Sequence, residues 1–563
     1  MFQKVAMTPV ESQSQTQDTR APRTAIILAA GSGPAALLPL FGHTSPAMLA
    51  LNGRPTIHWS LHYLMNLGIK RAVLGIRAED ERLRRFVTQS FGSLLDIRFV
   101  TPRSDRGPGY TLSACLDAVP ADEAVLVVLA DTLFKSEHLD FSSSFVLTYP
   151  VDDAHRWCLA RVNGPRVEEL LDKPKANPSA LPALIGVYFL RDTRPAREAL
   201  RQRIESTTNG IQLAVALAPY VAAGELTAIR ADSWSDCGNL DKLQTARRRI
   251  LQERVFNSIE IDELRGTLTK RSKDTAKFIN EINYYRLLPA ELSIFFPRLV
   301  NFSLKLDDLR MTLEYYTFPT LSELWVFEDV DAKVWRRVFE GLHAVHGIFG
   351  GYTAEISPED CSDIYWTKTV RRLEEFARGA AANAALVGRS DLRVNGANFK
   401  GWPALAPLIE SRVQRLATSV RGQIIHGDLC YANILYDRLT NLFKFIDPRG
   451  SFGSAGIYGD PRYDIAKLMH SVDGGYDFLI HEMFDIHEAG AGALTLERFF
   501  PPTRDATMAA LHEIFSASYA LNDVRFIEGL LFLSMCPLHR DHPRRQRAMF
   551  AIGLQILNEV LEP

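Results

Sequence analysis

Between Arg23 and Leu129 the chain alternates short, wholly apolar runs with longer stretches in which apolar residues recur every three or four positions. The run Thr24 to Leu28 (TAIIL) is β-branched and apolar, as in a strand covered on both faces, and Gly31 and Gly33 break it into a loop. In PTIHWSLHYLMNLG, Ile57, Leu61 and Leu64 fall on one helical face, Pro55 suits the first turn and Gly68 the C-cap. A strand over Ala72 to Ile76, a charged helix near Glu79 to Val87 and a buried strand over Val125 to Leu129 follow. This alternation predicts an α/β unit, a parallel sheet wrapped by helices. Ligands of such sheets bind beyond the carboxyl ends of the strands, where the Gly31 loop and Asp131 fall.

After Asp236 the pattern changes. DCGNLDKLQTARRRILQERV predicts an amphipathic, Arg-rich helix closing the first unit near Arg254. Short strands lead to Lys270, and SKDTAKFINEINYYRLL predicts a helix stopped by Pro289. From about Leu321 the pattern is helical, apart from one β-rich island around HGDLCYANILYDRLTNLFKFID. The Gln/Ser/Thr-rich residues 1–22 lack the apolar content for a core and predict a disordered tail. The domains expected are 23–252, 253–320 and 321–563.

Composition narrows the function classes. The 563 residues carry 64 Lys+Arg against 66 Asp+Glu, a net charge of -2, with no basic excess to hold nucleic acid. The basic HRDHPRRQR stretch near the C-terminus is expected to be the solvated start of the last helix. Six scattered cysteines without a CxxC exclude a zinc ribbon or a disulfide scaffold. No apolar run approaches the roughly 20 residues of a membrane span, and polar ESQSQTQDTR stands where a signal peptide would be apolar. The expectation is a cytoplasmic enzyme acting on small molecules, with no nucleic acid partner and no membrane insertion; oligomeric state is unconstrained. His343 and His346 lack a Cys or carboxylate at ligand spacing and are expected to pack or face solvent.

Candidate chemistry is densest in IIHGDLCYANILYD and KFIDPRGS. Phosphoryl transfer from ATP needs a carboxylate at the acceptor hydroxyl, metal ligands on the phosphates and a cation on the phosphate tail. His426, Asp428 and Asn433 reproduce an H-x-D-x-x-x-x-N spacing, and Asp447 ends an apolar strand where it can meet the same magnesium as Asn433. This segment resembles the aminoglycoside phosphotransferase and choline kinase family. The resemblance implies a bilobal protein-kinase-like fold using ATP and Mg2+, with 253–320 as small lobe and hinge and 321–563 as the helical large lobe. It implies Asp428 and His426 as the catalytic pair, Asp428 as base, and Asn433 and Asp447 as magnesium ligands. In YGDPRYDIAKL, similar to the family's D-P-x-x-D-[LI]-A, Asp464 would brace the catalytic loop. Lys270, or alternatively Lys273, would hold the α/β-phosphates with Glu281 as its ion-pair partner, and the backbone around Glu314 to Tyr316 in the hinge-like LEYYTFPTL would pair with adenine. Arg449 departs from the family, where a bulky residue or an acid is usual; it would bind an acidic acceptor bidentately or pair with a carboxylate such as Asp460.

The first unit resembles another family. AIILAAGSG, NGRPTIHWSLHYLMNLG, VLADTLF, DKPK and SWSDCGNLDKL follow one another as in the sugar-phosphate nucleotidyltransferases, over roughly Ala25 to Arg249. The resemblance implies a doubly wound, Rossmann-like fold. Gly31 and Gly33 would offer backbone N–H groups to phosphates, Asp131 and Asp236 would clamp magnesium, Lys173 would contact the sugar phosphate and Gly109 would approach the base. Two cations of the family are missing, since its Arg position is Ala35 and its Lys position Ser45. Each lost donor of charge stabilisation costs about 2.7–4 kcal/mol. The expectation is weakened or lost transfer, with a second nucleoside triphosphate or a nucleotide-sugar still bound. Arg54, Arg103 and Arg106 are the candidates for replacing the lost charge.

Together these features point to a kinase for a hydroxyl of a sugar or amino alcohol, in activated-sugar and surface-polysaccharide or capsule precursor synthesis. The alternatives are a fully bifunctional kinase and nucleotidyltransferase, or a non-catalytic nucleotide-binding scaffold.

Overall fold

Five consecutive buried residues, Thr24–Leu28, form the first strand, β1, in the first unit's sheet. The computed structural model describes residues 21–31, 44–175, 180–238, 259–418, 420–488, 490 and 492–561. Residues 1–20 of the tail expected over 1–22, Gly33, Ala35 and the Arg-rich helix beyond Gly238 lie outside them. Contacts divide the chain into two units, Met1–Ile250 and Leu251–Pro563.

In the first unit, β1 is followed by α1 (Thr56–Asn66), β2 (Arg71–Gly75), α2 (Glu81–Phe91), β3 (Asp96–Val100), α3 (Pro108–Leu116) and β4 (Val125–Leu129). Each helix returns the chain for a parallel strand, and β3, β2, β1 and β4 lie side by side in parallel register. Beyond β4 the parallel expectation fails. The strands β5 (Thr132–Lys135), β6 (Ser144–Tyr149), β7 (Cys158–Asn163), β8 (Arg166–Asp172) and β9 (Ala183–Leu190) follow without an intervening α-helix among the described residues. A parallel neighbour needs a crossover of a dozen or more residues, so these strands fold back instead. The wholly buried β9 runs antiparallel to both β4 and β6. The strands β10 (Leu226–Arg230) and β11 (Ser233–Asp236) complete the unit, and the described sheet runs β3-β2-β1-β4-β9-β6-β10-β8-β7. The fold is mixed α/β. Outside the sheet, β5 and β11 make a two-stranded ribbon with Asp236 opposite Thr132, which carries Asp236 to the end of β4.

The second unit begins with β12 (Ile259–Asp262), β13 (Thr267–Arg271), α4 (Thr275–Leu287), β14 (Leu299–Ser303) and β15 (Arg310–Glu314). The strands form an antiparallel sheet in the order β12-β13-β15-β14. Phe278 and Ile282 of α4 pack on it against Leu309, Met311 and Leu313. Residues 315–320 lead to α5 (Leu321–Phe327), entered through a capping box in which Thr320 and Glu323 satisfy each other's backbone N–H. Then come α6 (Ala332–Phe349) and α7 (Lys368–Arg378), followed by β16 (Asp391–Val394) and β17 (Ala397–Lys400). The hairpin β18 (Ile434–Asp437) and β19 (Leu442–Phe445) is the expected β-rich island. After it come α8 (Pro461–Val472), β20 (Phe484–Glu488), β21 (Ala493–Arg498), α9 (Leu521–Met535) and α10 (Pro543–Leu561), with α7 and α8 packed on α9 and α9 on α10.

Two expectations are corrected here. The region after Leu321 holds a second four-stranded sheet, β17-β16-β21-β20. Its central pairing, Val394 with Leu494, joins strands a hundred residues apart and leaves no local periodic signature. The basic stretch that opens the last helix is solvated only in part, with Arg540, Pro543 and Arg544 exposed. Arg545 is 5% exposed and donates to the carbonyl oxygens of Leu479 and Ile480, while Arg544 and Arg547 pair with Asp485 and Glu488.

Candidate functional site

In the second unit, Lys270 lies on β13 and Glu281 on the helix that follows, and the Lys270 Nζ is 2.8 and 3.0 Å from the two Glu281 oxygens. The same Nζ lies 2.9 Å from Asp447 Oδ1, a residue 177 positions away. Gly450 shows how the segments come together. It has φ +71°, and a Cβ there would lie 2.1 Å from the Asn280 carbonyl oxygen, so only glycine lets the Asp447 loop rest on α4 beside Glu281. Lys273, the alternative phosphate lysine, is exposed. Burial and the nearby Asp447 push the Glu281 carboxyl up to about 7, with Lys270 opposing them. Burial likewise opposes the charge of Asp447, but Lys270 more than offsets it and holds that carboxyl below its usual range.

The hairpin β18–β19 sets the other half. Ile434 pairs with Phe445, and the Ile446 N–H donates to the Asn433 carbonyl, so Asn433 and Asp447 leave the hairpin at the same end. Asn433 Nδ2 donates to Asp428 through both the backbone carbonyl (2.8 Å) and Oδ2 (3.1 Å). Asp464 accepts the N–H groups of His426 (2.7 Å) and Gly427 (2.8 Å), fixing the loop from α8. The sequence reading missed Lys467, one turn further along that helix, whose Nζ lies 2.9 Å from Asp428 Oδ1. The i, i+3 spacing from Asp464 was the available signal. Burial works against the Asp428 charge, yet Lys467 outweighs it and holds the carboxyl well below the usual range, although the carboxylate is 41% exposed.

His426 is corrected. Its ring is fully buried, Nδ1 accepts the Asp428 N–H at 3.2 Å and Nε2 meets the Ile446 carbonyl oxygen at 3.0 Å. Without exposed surface it touches no substrate; it ties the Asp428 loop to the strand before Asp447 and is a positioning residue. Burial drives its pKa down to about 4. Between pH 6.5 and 4 the unfolded chain therefore takes up a proton that the native ring refuses, and stability falls as pH falls. The contribution is about 3 kcal/mol at about 1.4 kcal/mol per unit. Urea unfolding of His426→Gln should show a shallower loss of stability across that window than wild type; an unchanged slope would show that the ring titrates normally. His346, also buried, meets the Tyr519 hydroxyl through Nδ1 at 2.7 Å.

Glu314 ends β15 and pairs with Arg298 at 3.1 Å, and Tyr316 Oη donates to Glu314 Oε2 at 3.1 Å. The N–H groups of Glu314 and Tyr315 are taken by the carbonyls of Arg298 and Gly266. Arg449 does not pair with Asp460. That carboxylate accepts from Arg462 and Tyr365, whereas Arg449 Nη1 reaches Tyr463 Oη at 3.2 Å.

In the first unit, Asp131 follows β4 and Asp236 ends β11. A Cβ on Gly238 would lie 2.7 Å from Asp131 Oδ2 and 3.2 Å from Asp236 Oδ1, so both carboxylates border one point. Burial first, and then Asp236, push the Asp131 carboxyl up to about 6. Two converging carboxylates are hard oxygen donors of the kind that hold Mg2+. Residues 24–253 match the family model described as Nucleotidyl transferase. The first unit thus carries a nucleotidyl transferase domain. Solved structures similar to it include a UDP-glucose pyrophosphorylase complexed with UDP-glucose, at 20% identity over 41% of this chain and 100% of that one, TM-score 0.36. Another is a UTP-bound enzyme of the same kind from Acinetobacter baumannii, at 19% identity over 42% and 95%, TM-score 0.33. No curated protein matches the chain.

Within this nucleotidyl transferase domain, Ser45 is 4% exposed and its Oγ has no hydrogen-bond partner among the described residues. At Gly109 the space of the missing Cβ is filled by the Ile211 side chain at 2.7 Å and the Ile211 and Gln212 carbonyl oxygens at 2.8 and 2.9 Å, so no side chain fits there. Arg106 donates to the carbonyls of Ile204 and Thr207. Gly31 and Lys173 are exposed, Lys173 with φ +49°. No helix among the described residues is long and apolar enough to cross a membrane.

Proposed function

We propose that residues 253–563 of the second unit form a bilobal, kinase-like phosphotransferase passing the γ-phosphoryl group of ATP to a hydroxyl of a small molecule, a sugar or amino alcohol. One observation carries the reading: Lys270 meets both Glu281 and Asp447, and Asp447 leaves the same hairpin end as Asn433, which holds Asp428. A phosphate-holding cation, candidate metal ligands and a carboxylate for the acceptor thus converge from distant parts of the chain.

Each residue has a role in that scheme. Lys270, aimed by Glu281, holds the phosphate tail. Asp447 spends Oδ1 on Lys270 and Asn433 spends Nδ2 on Asp428, which leaves Asp447 Oδ2 and Asn433 Oδ1 as oxygen donors suited to Mg2+. The ion, when bound, neutralises charge on the transferring phosphates. Asp428, ionised and held from both sides by Lys467 and Asn433, orients the acceptor hydroxyl and takes its proton as the phosphoryl group arrives. Among the described residues the Tyr316 N–H has no partner, and in this scheme it meets an adenine edge.

For the nucleotidyl transferase domain, we propose binding of a nucleoside triphosphate or nucleotide-sugar with Mg2+ at Asp131 and Asp236, with transfer weakened by Ala35 and Ser45. A kinase product would then feed nucleotide-sugar formation in cytoplasmic precursor synthesis for a surface polysaccharide or capsule. The protein is expected to bind Mg-UTP without measurable pyrophosphate release when glucose 1-phosphate is added, and Asp236→Ala is expected to abolish that binding in calorimetry. Pyrophosphate release by wild type, lost in Asp236→Ala, would replace this reading with the fully bifunctional one, which the convergence at Gly238 favours.

A further inference from the structure

Beside Asp428 lies a group of cations that the phosphoryl-transfer scheme does not use. Lys368 begins α7, and its Nζ stands 5.6 Å from the centre of the Tyr463 ring. Arg449 donates to Tyr463 Oη, and its Cβ would be 2.9 Å from a Cβ on Gly427, so its stem lies along the loop that carries Asp428. Tyr463 is one turn before Lys467 on α8, and Lys467 holds Asp428. Arg372, one turn along α7 from Lys368, donates to the Ser534 carbonyl at 3.0 Å.

Charge at this place does not balance. Lys467 is matched by Asp428, but among the described residues no carboxylate is paired with Lys368, Arg372 or Arg449; Asp460, nearby in sequence, is taken by Arg462 and Tyr365. The imbalance is felt by the groups inside it. Burial, with Arg449, Arg372 and Lys467 adding to it, lowers the Lys368 ammonium to about 8. Burial by itself would raise the Tyr463 phenol, yet Lys368, Arg449 and Lys467 bring it down to about 8. A half-buried cation without a counter-charge is costly to keep, and an anion arriving there would offset that cost.

We infer that the acceptor of the second unit carries an anionic group, a carboxylate or a phosphate, beside the hydroxyl it presents to Asp428, and that Lys368 and Arg449 receive that group. The inference rests on the kinase reading for the hydroxyl but on the cation cluster alone for the anion. The planar guanidinium of Arg449 suits two-point binding of either oxyanion. A cationic amino alcohol would be repelled, so the inference selects acidic or phosphorylated sugars from the proposed acceptors.

The test is thermal unfolding of the full chain with Mg-ADP present, adding millimolar inorganic phosphate, malonate, or sodium chloride at equal ionic strength. Phosphate or malonate is expected to raise the transition of wild type by roughly 2–5 °C beyond chloride. The larger response tells which oxyanion the site prefers. Lys368→Met should melt higher than wild type without anion, because the unmatched cation is gone, and should lose the anion response. Arg449→Met, the second variant, should lose it as well. No response in wild type, or an equal response in both variants, overturns the inference. Failure of the kinase reading shows elsewhere, as Mg-ATP binding that is missing or indifferent to Lys270→Met, and leaves the Lys368-dependent response intact.

Discussion

Asp428→Asn is expected to cut ATP-dependent ADP formation by about 10²–10⁴-fold, the usual worth of a positioned acid–base group, while changing Mg-ATP affinity little. The separation follows from the geometry, because Lys270, Glu281 and Asp447 hold one another without help from Asp428. The substitution has a second consequence. Lys467, only 10% exposed in its side chain, loses its counter-charge. Removing one partner of a fully buried pair costs about 3–5 kcal/mol; with Asp428 41% exposed, water screens the loss and the cost is smaller. The double variant Asp428→Asn/Lys467→Met should regain the stability and stay inactive. A coupled ADP assay and urea unfolding on the three proteins check this, and undiminished ADP formation in Asp428→Asn would remove Asp428 from the reaction.

Lys270→Met is expected to act on binding and stability together. Loss of a charge-assisted contact to phosphate is worth about 1.5–3 kcal/mol, or about 10–100-fold in Mg-ATP affinity. Without ligand, the change leaves Glu281 and Asp447 facing each other with no cation between them. The Glu281 carboxyl, already up to about 7 with Lys270 in place, rises further. A carboxyl raised in the folded state binds its proton natively before the unfolded chain does. Its contribution is therefore present at low pH and lost as pH rises through the folded pKa. The variant should gain stability on going from pH 8 to 6, a gain that a further Glu281→Gln would abolish without restoring nucleotide affinity. Calorimetric titration with Mg-ATP and unfolding at the two pH values make the comparison. Unchanged affinity would mean that Lys273 or another cation holds the phosphates.

Local pattern carried much of the first unit. The buried runs over residues 24–28 and 125–129 form strands with those bounds, since a run apolar on every residue suits a strand buried on both faces wherever its neighbours lie. Polarity of the later strands was not legible, because it depends on what connects them. The β16–β21 pairing was hidden for a related reason: Val394 and Leu494 are unremarkable in their own neighbourhoods and meet only through the fold.

The candidate site divides in the same way. Residue type and the H-x-D-x-x-x-x-N spacing marked His426, Asp428 and Asn433 as a group, and the apolar strand ending at Asp447 added the fourth member. Which member faces solvent was decided by packing, which seals His426 among Phe296, Tyr284 and Phe445 and leaves Asp428 partly open. Spacing is a property of the covalent chain and survives in the string of letters. Burial, counter-charge and the filling of an empty Cβ position are properties of neighbours far along that string. The matching of Lys467 to Asp428, the unmatched Lys368 and the occupied space at Gly109 therefore exist only in the folded molecule.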